Sequence, residues 1–322
     1  MPAASSSLPA YLDELRQAVE RALDRALGLV SLDASPLVAE AMRYGLMGGG
    51  KRLRPCLTLA TAEAAAPGAG VGPDDARVLA MSFAVPVEMV HSYSLIHDDL
   101  PAMDDDALRR GRPTTHVVYG EGLAILAGDG LLTEAFRLMT GPSDAPRDPD
   151  RGEPGHDRRL AAIRILALAA GSAGMVGGQG IDLAAAGRVP GHTSRITDTR
   201  TLEDMHRRKT GALISAAAVL GGVSVGASDD VMLAIHTYAR ELGLAFQIID
   251  DVLDVEGSAA VLGKTAGKDA AAGKPTYPSF YGLDESRTLA ARAVERAKAA
   301  LEPAGLSGRL TEIADWSLRR DT

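Results

Sequence analysis

This chain of 322 residues has one cysteine, one tryptophan, aromatics at only 4% and no excess of positive charge. Each scarcity excludes something. With Cys56 alone, an intrachain disulfide is impossible and a reducing, cytoplasmic setting is expected. Few aromatics beside abundant Ala, Leu, Gly and Arg argue against sheets, where β-branched and aromatic residues concentrate. A net charge of −8 argues against nucleic acid as a partner, although a local basic cluster can still bind a small phosphate. The opening MPAASSSLPA lacks the basic start and apolar core of a signal peptide. The most apolar stretch, Ile165 to Ile181, is rich in Gly and Ala and runs into Asp182. We expect a buried core helix there rather than a membrane span. Neither strand alternation nor a hairpin turn dipeptide is evident.

What is present is helical periodicity. Leu12, Leu15, Val19, Ala22 and Leu23 fall on one helical face. Similar stripes run through 36–47, 53–66, 74–97, 121–139, 159–185, 200–221, 228–254, 285–302 and 307–319. These predict one all-α domain over 1–322. Within it, Gly141 to His156, rich in Pro, Gly and Asp, reads as an exposed loop between helices.

Two aspartate clusters interrupt this apolar helical sequence: Asp98-Asp99 with Asp104-Asp105-Asp106, and Asp250-Asp251 with Asp254. Asp250 and Asp254 lie four apart, on one helical face, with Gln247 a turn earlier. Such a pair is either a solvated face or a place where a cation offsets the repulsion. Asp98 and Asp104 would diverge on an unbroken helix. Pro101 cannot continue the hydrogen-bond ladder, so a loop can return Asp104 to Asp98. His91 projects from the side of Asp98, two turns earlier, as a core histidine or a ligand-facing one. Asp105 and Asp106 are either solvated or paired with arginines.

Basic residues stand beside both clusters. Gly48-Gly-Gly-Lys-Arg-Leu-Arg-Pro55 sets Gly50, Lys51, Arg52 and Arg54 around a turn leading into a helix, an arrangement suited to an anion. It is not a nucleotide P-loop: Arg52 stands where Ser or Thr is needed, and no strand precedes the glycines. Arg109-Arg110 follows the first cluster, Lys209-Thr210-Gly211 lies between the two, and Lys264, Lys268 and Lys274 follow the second.

The run His97-Asp-Asp-Leu-Pro-Ala-Met-Asp-Asp-Asp-Ala-Leu-Arg-Arg-Gly-Arg-Pro-Thr-Thr-His116 resembles the first aspartate-rich motif of short-chain trans-prenyl diphosphate synthases of the farnesyl or geranylgeranyl type. So do Gly-Gly-Lys-Arg-Leu-Arg-Pro55, Gly-Met-Val-Gly-Gly-Gln-Gly-Ile-Asp-Leu183, Lys-Thr-Gly211, Phe-Gln-Ile-Ile-Asp-Asp-Val-Leu-Asp254, Gly-Lys-Thr-Ala-Gly-Lys-Asp269 and Lys-Pro-Thr-Tyr-Pro278, in order. The departure from the pattern is the Pro/Gly-rich insertion near 141–156. The resemblance implies a bundle of mostly antiparallel helices around a central cavity, paired as a homodimer, with no membrane span. It implies condensation of isopentenyl diphosphate with an allylic diphosphate, dimethylallyl or geranyl. Three Mg2+ ions would be held by Asp98, Asp104 and Asp250, with Asp99 and Asp254 ligating directly or through water. Arg109, Lys209 and Lys264 would grip the allylic diphosphate, and Lys51, Arg54, His91 and Arg110 the other, with Gly50 and Lys274 also in the binding set. Thr210 and Gln247 would offer oxygen dipoles to the allylic cation.

Product length should follow from the cavity wall below Asp98. Tyr93 stands five residues earlier, with small Ser94 beside it, and its ring would obstruct a growing chain at about C15. The resemblance implies the same, since in related enzymes an aromatic at this position goes with farnesyl products and a smaller or flexible residue with C20. A geranylgeranyl synthase is the alternative. A class I terpene cyclase would lack the second diphosphate site that Lys51 and Arg54 suggest, and a non-catalytic synthase subunit would be expected to lose the aspartate motifs.

Overall fold

Helices begin where the sequence supplies start signals. Pro36 opens α2 (Pro36–Leu46) directly after Ser35, and Pro73 opens α4 (Pro73–Asp98) with Asp74 and Asp75 in its first turn, where the helix dipole favours them. Asp198 caps α9 (Thr199–His206) by accepting from the Thr201 amide, and Thr276 and Ser279 form a reciprocal capping box on α12 (Tyr277–Tyr281). The computed structural model describes residues 7–30, 35–141, 154–192, 196–260 and 275–320. Lys264, Lys268, Lys274 and most of the expected loop at 141–156 lie outside the described residues.

The remaining helices are α1 (Leu8–Val30), α3 (Leu53–Ala65), α5 (Thr115–Tyr119), α6 (Glu121–Thr140), α7 (His156–Ala170), α8 (Met175–Ala185), α10 (Ala212–Val225), α11 (Asp229–Ala260), α13 (Leu283–Leu301) and α14 (Arg309–Arg319). The all-α expectation holds, with one small exception. Leu108–Arg109 (β1) and Arg112–Pro113 (β2) pair antiparallel across Arg110 and Gly111. Both turn residues have positive φ, at 52° and 73°, which is the geometry of a tight hairpin turn. The sequence reading missed this hairpin because Arg replaces the usual Asn or Asp of such turns.

By its contacts the chain divides into two compact units, Met1–Ile165 with Leu220–Ala227, and Leu166–Val219 with Ser228–Thr322. In the first, α4 packs against α1, α2, α3 and α6. Leu57, Phe83, Met89 and Leu131 are fully buried there, each contributing about 1.5–3 kcal/mol by leaving water. In the second, α11 packs along α13 and α14, and the buried Tyr238 hydroxyl donates to the Leu310 carbonyl at 2.8 Å.

Two expectations need correction. The stripe expected over 159–185 breaks at Gly171–Gly174 into α7 and α8. The apolar stretch Ile165–Ile181 is also not a uniformly buried helix: Leu168 and Val176 are 58% and 51% exposed. By length and composition alone, Pro73–Asp98 and His156–Ala185 could cross a membrane, but in the first 72% of the apolar window is buried.

Candidate active site

In the first unit, α4 ends at Asp98 and the chain folds back on the carbonyls of its last turn. The amide of Leu100 donates to His97, that of Asp104 to Asp98 at 2.8 Å, and that of Asp106 to Asp99 at 3.1 Å. Pro101, with no amide hydrogen, occupies the exposed tip of this turn. The backbone thus ties Asp104 to Asp98. Asp105, at φ 54°, takes the left-handed conformation that lets the loop turn so tightly.

Asp99 points inward instead. Its buried carboxylate accepts a forked pair of hydrogen bonds from Arg109, at 2.6 and 2.8 Å to Oδ1. One residue expected on metal and one expected on the allylic diphosphate hold each other in this structure.

The glycine-rich turn lies in the same unit. Arg110 donates to the Gly49 carbonyl and lies against Gly50, whose backbone at φ 122° takes a conformation that favours glycine. His91 is pushed well below the usual imidazole range by burial and by the charges of Arg54, Arg110, Arg109 and Arg52. The charges of the glycine-rich turn and of the hairpin thus both reach this ring. Arg52, by contrast, is buried on Glu88 and on the Leu46 carbonyl. Tyr93 is 6% exposed and meets His97 edge-on at 5.6 Å. Burial first, then Asp98 and Asp129, raise its phenol pKa. The Ser94 hydroxyl is taken by the His91 carbonyl.

In the second unit, Arg207–Gly211 winds as a π-helical turn, a local widening that frees backbone groups and often marks functional sites. A Cβ on Gly178 would fall 2.2 Å from the Lys209 amide, so this glycine lets α8 approach the turn. Lys209 is paired with the buried Asp182 at 2.5 Å, and Thr210 follows it, half-buried, in the same turn. Gln247 donates to Asp251 at 2.9 Å, and the Tyr277 amide holds the other Asp251 oxygen at 2.9 Å. Asp251 is thereby spent on structure, while the half-buried Asp250 and Asp254 lie one turn apart beside it on the same helix. Asp250 meets Arg320 at 2.5 Å. Arg320 also donates to the Phe246 carbonyl at 2.6 Å and stacks 3.5 Å over that ring. Nothing in the local sequence signals this contact, since it joins residues 70 apart.

Among the described residues no three His, Cys, Asp or Glu side chains converge into a closed metal site. The donor set nevertheless suits Mg2+, a hard ion that takes carboxylate oxygens one or two at a time and completes its shell with water and substrate phosphates.

The polyprenyl synthetase family profile matches residues 35–303. The chain belongs to this family. As a polyprenyl synthetase it is 43% identical to the farnesyl diphosphate synthase of Escherichia coli, over 97% of this chain and 99% of that one. It is 46% identical to geranylgeranyl pyrophosphate synthase 3 of Arabidopsis thaliana, over 87% of this chain and 72% of that one. The crystal structure of an FPP/GFPP synthase from Zymomonas mobilis superposes with a TM-score of 0.77 at 34% identity, covering 97% of this chain and 98% of that one. This polyprenyl synthetase is therefore an all-α trans-prenyltransferase enzyme.

Proposed function

We propose that the chain condenses isopentenyl diphosphate with dimethylallyl and then geranyl diphosphate, and releases farnesyl diphosphate. The observation that carries the product length is Tyr93, buried on α4 five residues before Asp98 and braced by His97. Asp98, Asp104, Asp250 and Asp254 would hold Mg2+. The bound ions would supply Lewis-acid neutralisation of the leaving diphosphate. Lys209, oriented by Asp182, and Arg109, oriented by Asp99, add positive charge to that leaving group. Lys264, outside the described residues, completes this set by resemblance. As the carbon–oxygen bond ionises, Thr210 and Gln247 offer oxygen dipoles to the allylic cation. Lys51, Arg54, His91 and Arg110 hold isopentenyl diphosphate, whose double bond attacks the cation. The departing diphosphate then takes the proton that is lost. Apolar walls around the site would keep water from quenching the cation.

A homodimer fits one further feature. Val117 and Val118 on α5 and Ile125 and Leu126 on α6 are exposed by 43–52%, an apolar face that a second copy would cover. A cytoplasmic setting accords with a single, buried cysteine. Incubating the purified chain with Mg2+, labelled isopentenyl diphosphate and each allylic primer tests the reading. Consumption of isopentenyl diphosphate separates a synthase from a cyclase, and activity of the chain alone separates it from a non-catalytic subunit.

A further inference from the structure

Arg52 takes no part in the function described above, although it sits in the middle of the cationic loop. Lys51 is exposed, whereas the Arg52 side chain is 1% exposed and turned into the protein. Its Nη1 donates to Glu88 Oε1 at 2.7 Å and its Nη2 to the Leu46 carbonyl at 2.8 Å, while Glu20 lies 3.9 Å from its Nε. One guanidinium thus ties the loop to α4, to the end of α2 and to α1. Its backbone has φ 51°, a left-handed conformation that arginine rarely adopts without a compensating contact.

A buried ion pair is seldom a net source of stability, because desolvation of both ions offsets their attraction. Its presence here calls for another explanation, and the local geometry offers one. Successive side chains at a loop-to-helix junction diverge, so drawing Arg52 inward turns Lys51 outward and starts α3 with Arg54 in its first turn. Glu88 is one turn before His91 on α4, the ring whose pKa the charges of these arginines lower. It also lines the small cavity that Asp99, Arg109 and Arg110 share. Two buried carboxylates therefore sort the arginines: Asp99 takes Arg109 and Glu88 takes Arg52.

We propose that Glu88 is a positioning residue for the homoallylic substrate: its carboxylate anchors Arg52 and so sets the loop that presents Lys51 and Arg54 to a diphosphate. The inference rests on the reading of Lys51 and Arg54 as isopentenyl diphosphate contacts.

The test uses Glu88→Gln and the apolar pair Arg52→Met with Glu88→Leu, which removes both charges and keeps the fold available if the single variant fails to fold. Steady-state kinetics with each substrate varied in turn, and thermal melting, are measured on the full chain. In both variants the KM for isopentenyl diphosphate should rise about tenfold or more, with kcat and the allylic KM within about twofold of the parent. The double variant should do so with little change in melting temperature. A wild-type KM for isopentenyl diphosphate in the double variant, or a lowered melting temperature with unchanged kinetics in Glu88→Gln, would overturn the proposal. Arg54→Ala is the control. If it too leaves that KM unchanged, the assignment of the loop to this substrate fails; if it raises the KM while the Glu88 variants do not, the positioning role alone fails.

Discussion

Replacing Tyr93 by Ala should lengthen the product by one isoprene unit. The side chain is 6% exposed and packs edge-on against His97 at 5.6 Å, so its removal leaves a void where the interior is close-packed. Truncating a buried aromatic costs about 3–5 kcal/mol, which for a chain of this length lowers the melting temperature by about 4–7 °C. The vacated ring and hydroxyl exceed the five carbons of an isoprene unit in size. A chain extending into that space recovers about 0.8 kcal/mol per carbon, roughly 4 kcal/mol, close to the cost of the void. Elongation past C15 then becomes favourable. The first condensations should persist, since the ring contact of Tyr93 is to His97, outside the proposed diphosphate set. Chromatography of products made with labelled isopentenyl diphosphate reads the outcome: C20 at a comparable consumption rate is expected. An unchanged C15 product in the folded variant would show that the ring does not form the floor.

Chelation of divalent cations should abolish turnover, and Asp98→Asn or Asp250→Asn should lower kcat about a hundredfold or more, measured with Mg2+ saturating. Lys209→Ala should slow ionisation of the allylic substrate in single-turnover assays, whereas Arg54→Ala should raise the KM for isopentenyl diphosphate at a cost of about 1.5–3 kcal/mol. Identical defects with both substrates would refute that division. Burial holds His206 down to about 4, so the unfolded chain takes up a proton that the folded chain refuses as pH falls from about 6.5 to 4. Stability should fall by about 3 kcal/mol across that window and be unaffected by this group above it. In His206→Gln, chemical denaturation at several pH values should show a flatter decline.

The helices were legible because their apolar stripes repeat locally, and so was the return of Asp104 to Asp98, because Pro101 forbids the helix that would separate them. Less legible was how the charges would be apportioned. Asp99 and Asp98 are adjacent and alike in sequence, yet one is buried on Arg109 and the other ends α4 half-buried. Arg52 and Arg54 share one motif but differ in burial, Arg52 being drawn inward onto Glu88, 36 residues away. The Arg320 contact to Asp250 spans still more chain. Pairing over such distances depends on tertiary packing, which spacing along the chain does not encode. The π-helical turn before Gly211 likewise left no mark in the apolar period, whereas the glycines it requires are plain in hindsight.

The most direct test of the central claim is a product analysis of the purified chain supplied with Mg2+, isopentenyl diphosphate and dimethylallyl diphosphate. The account predicts that both substrates are consumed and that the dominant released product is C15 all-trans farnesyl diphosphate, with no turnover when the ion is chelated. A dominant C20 product would contradict the role given to Tyr93, and the absence of any isopentenyl diphosphate consumption would contradict the condensation itself.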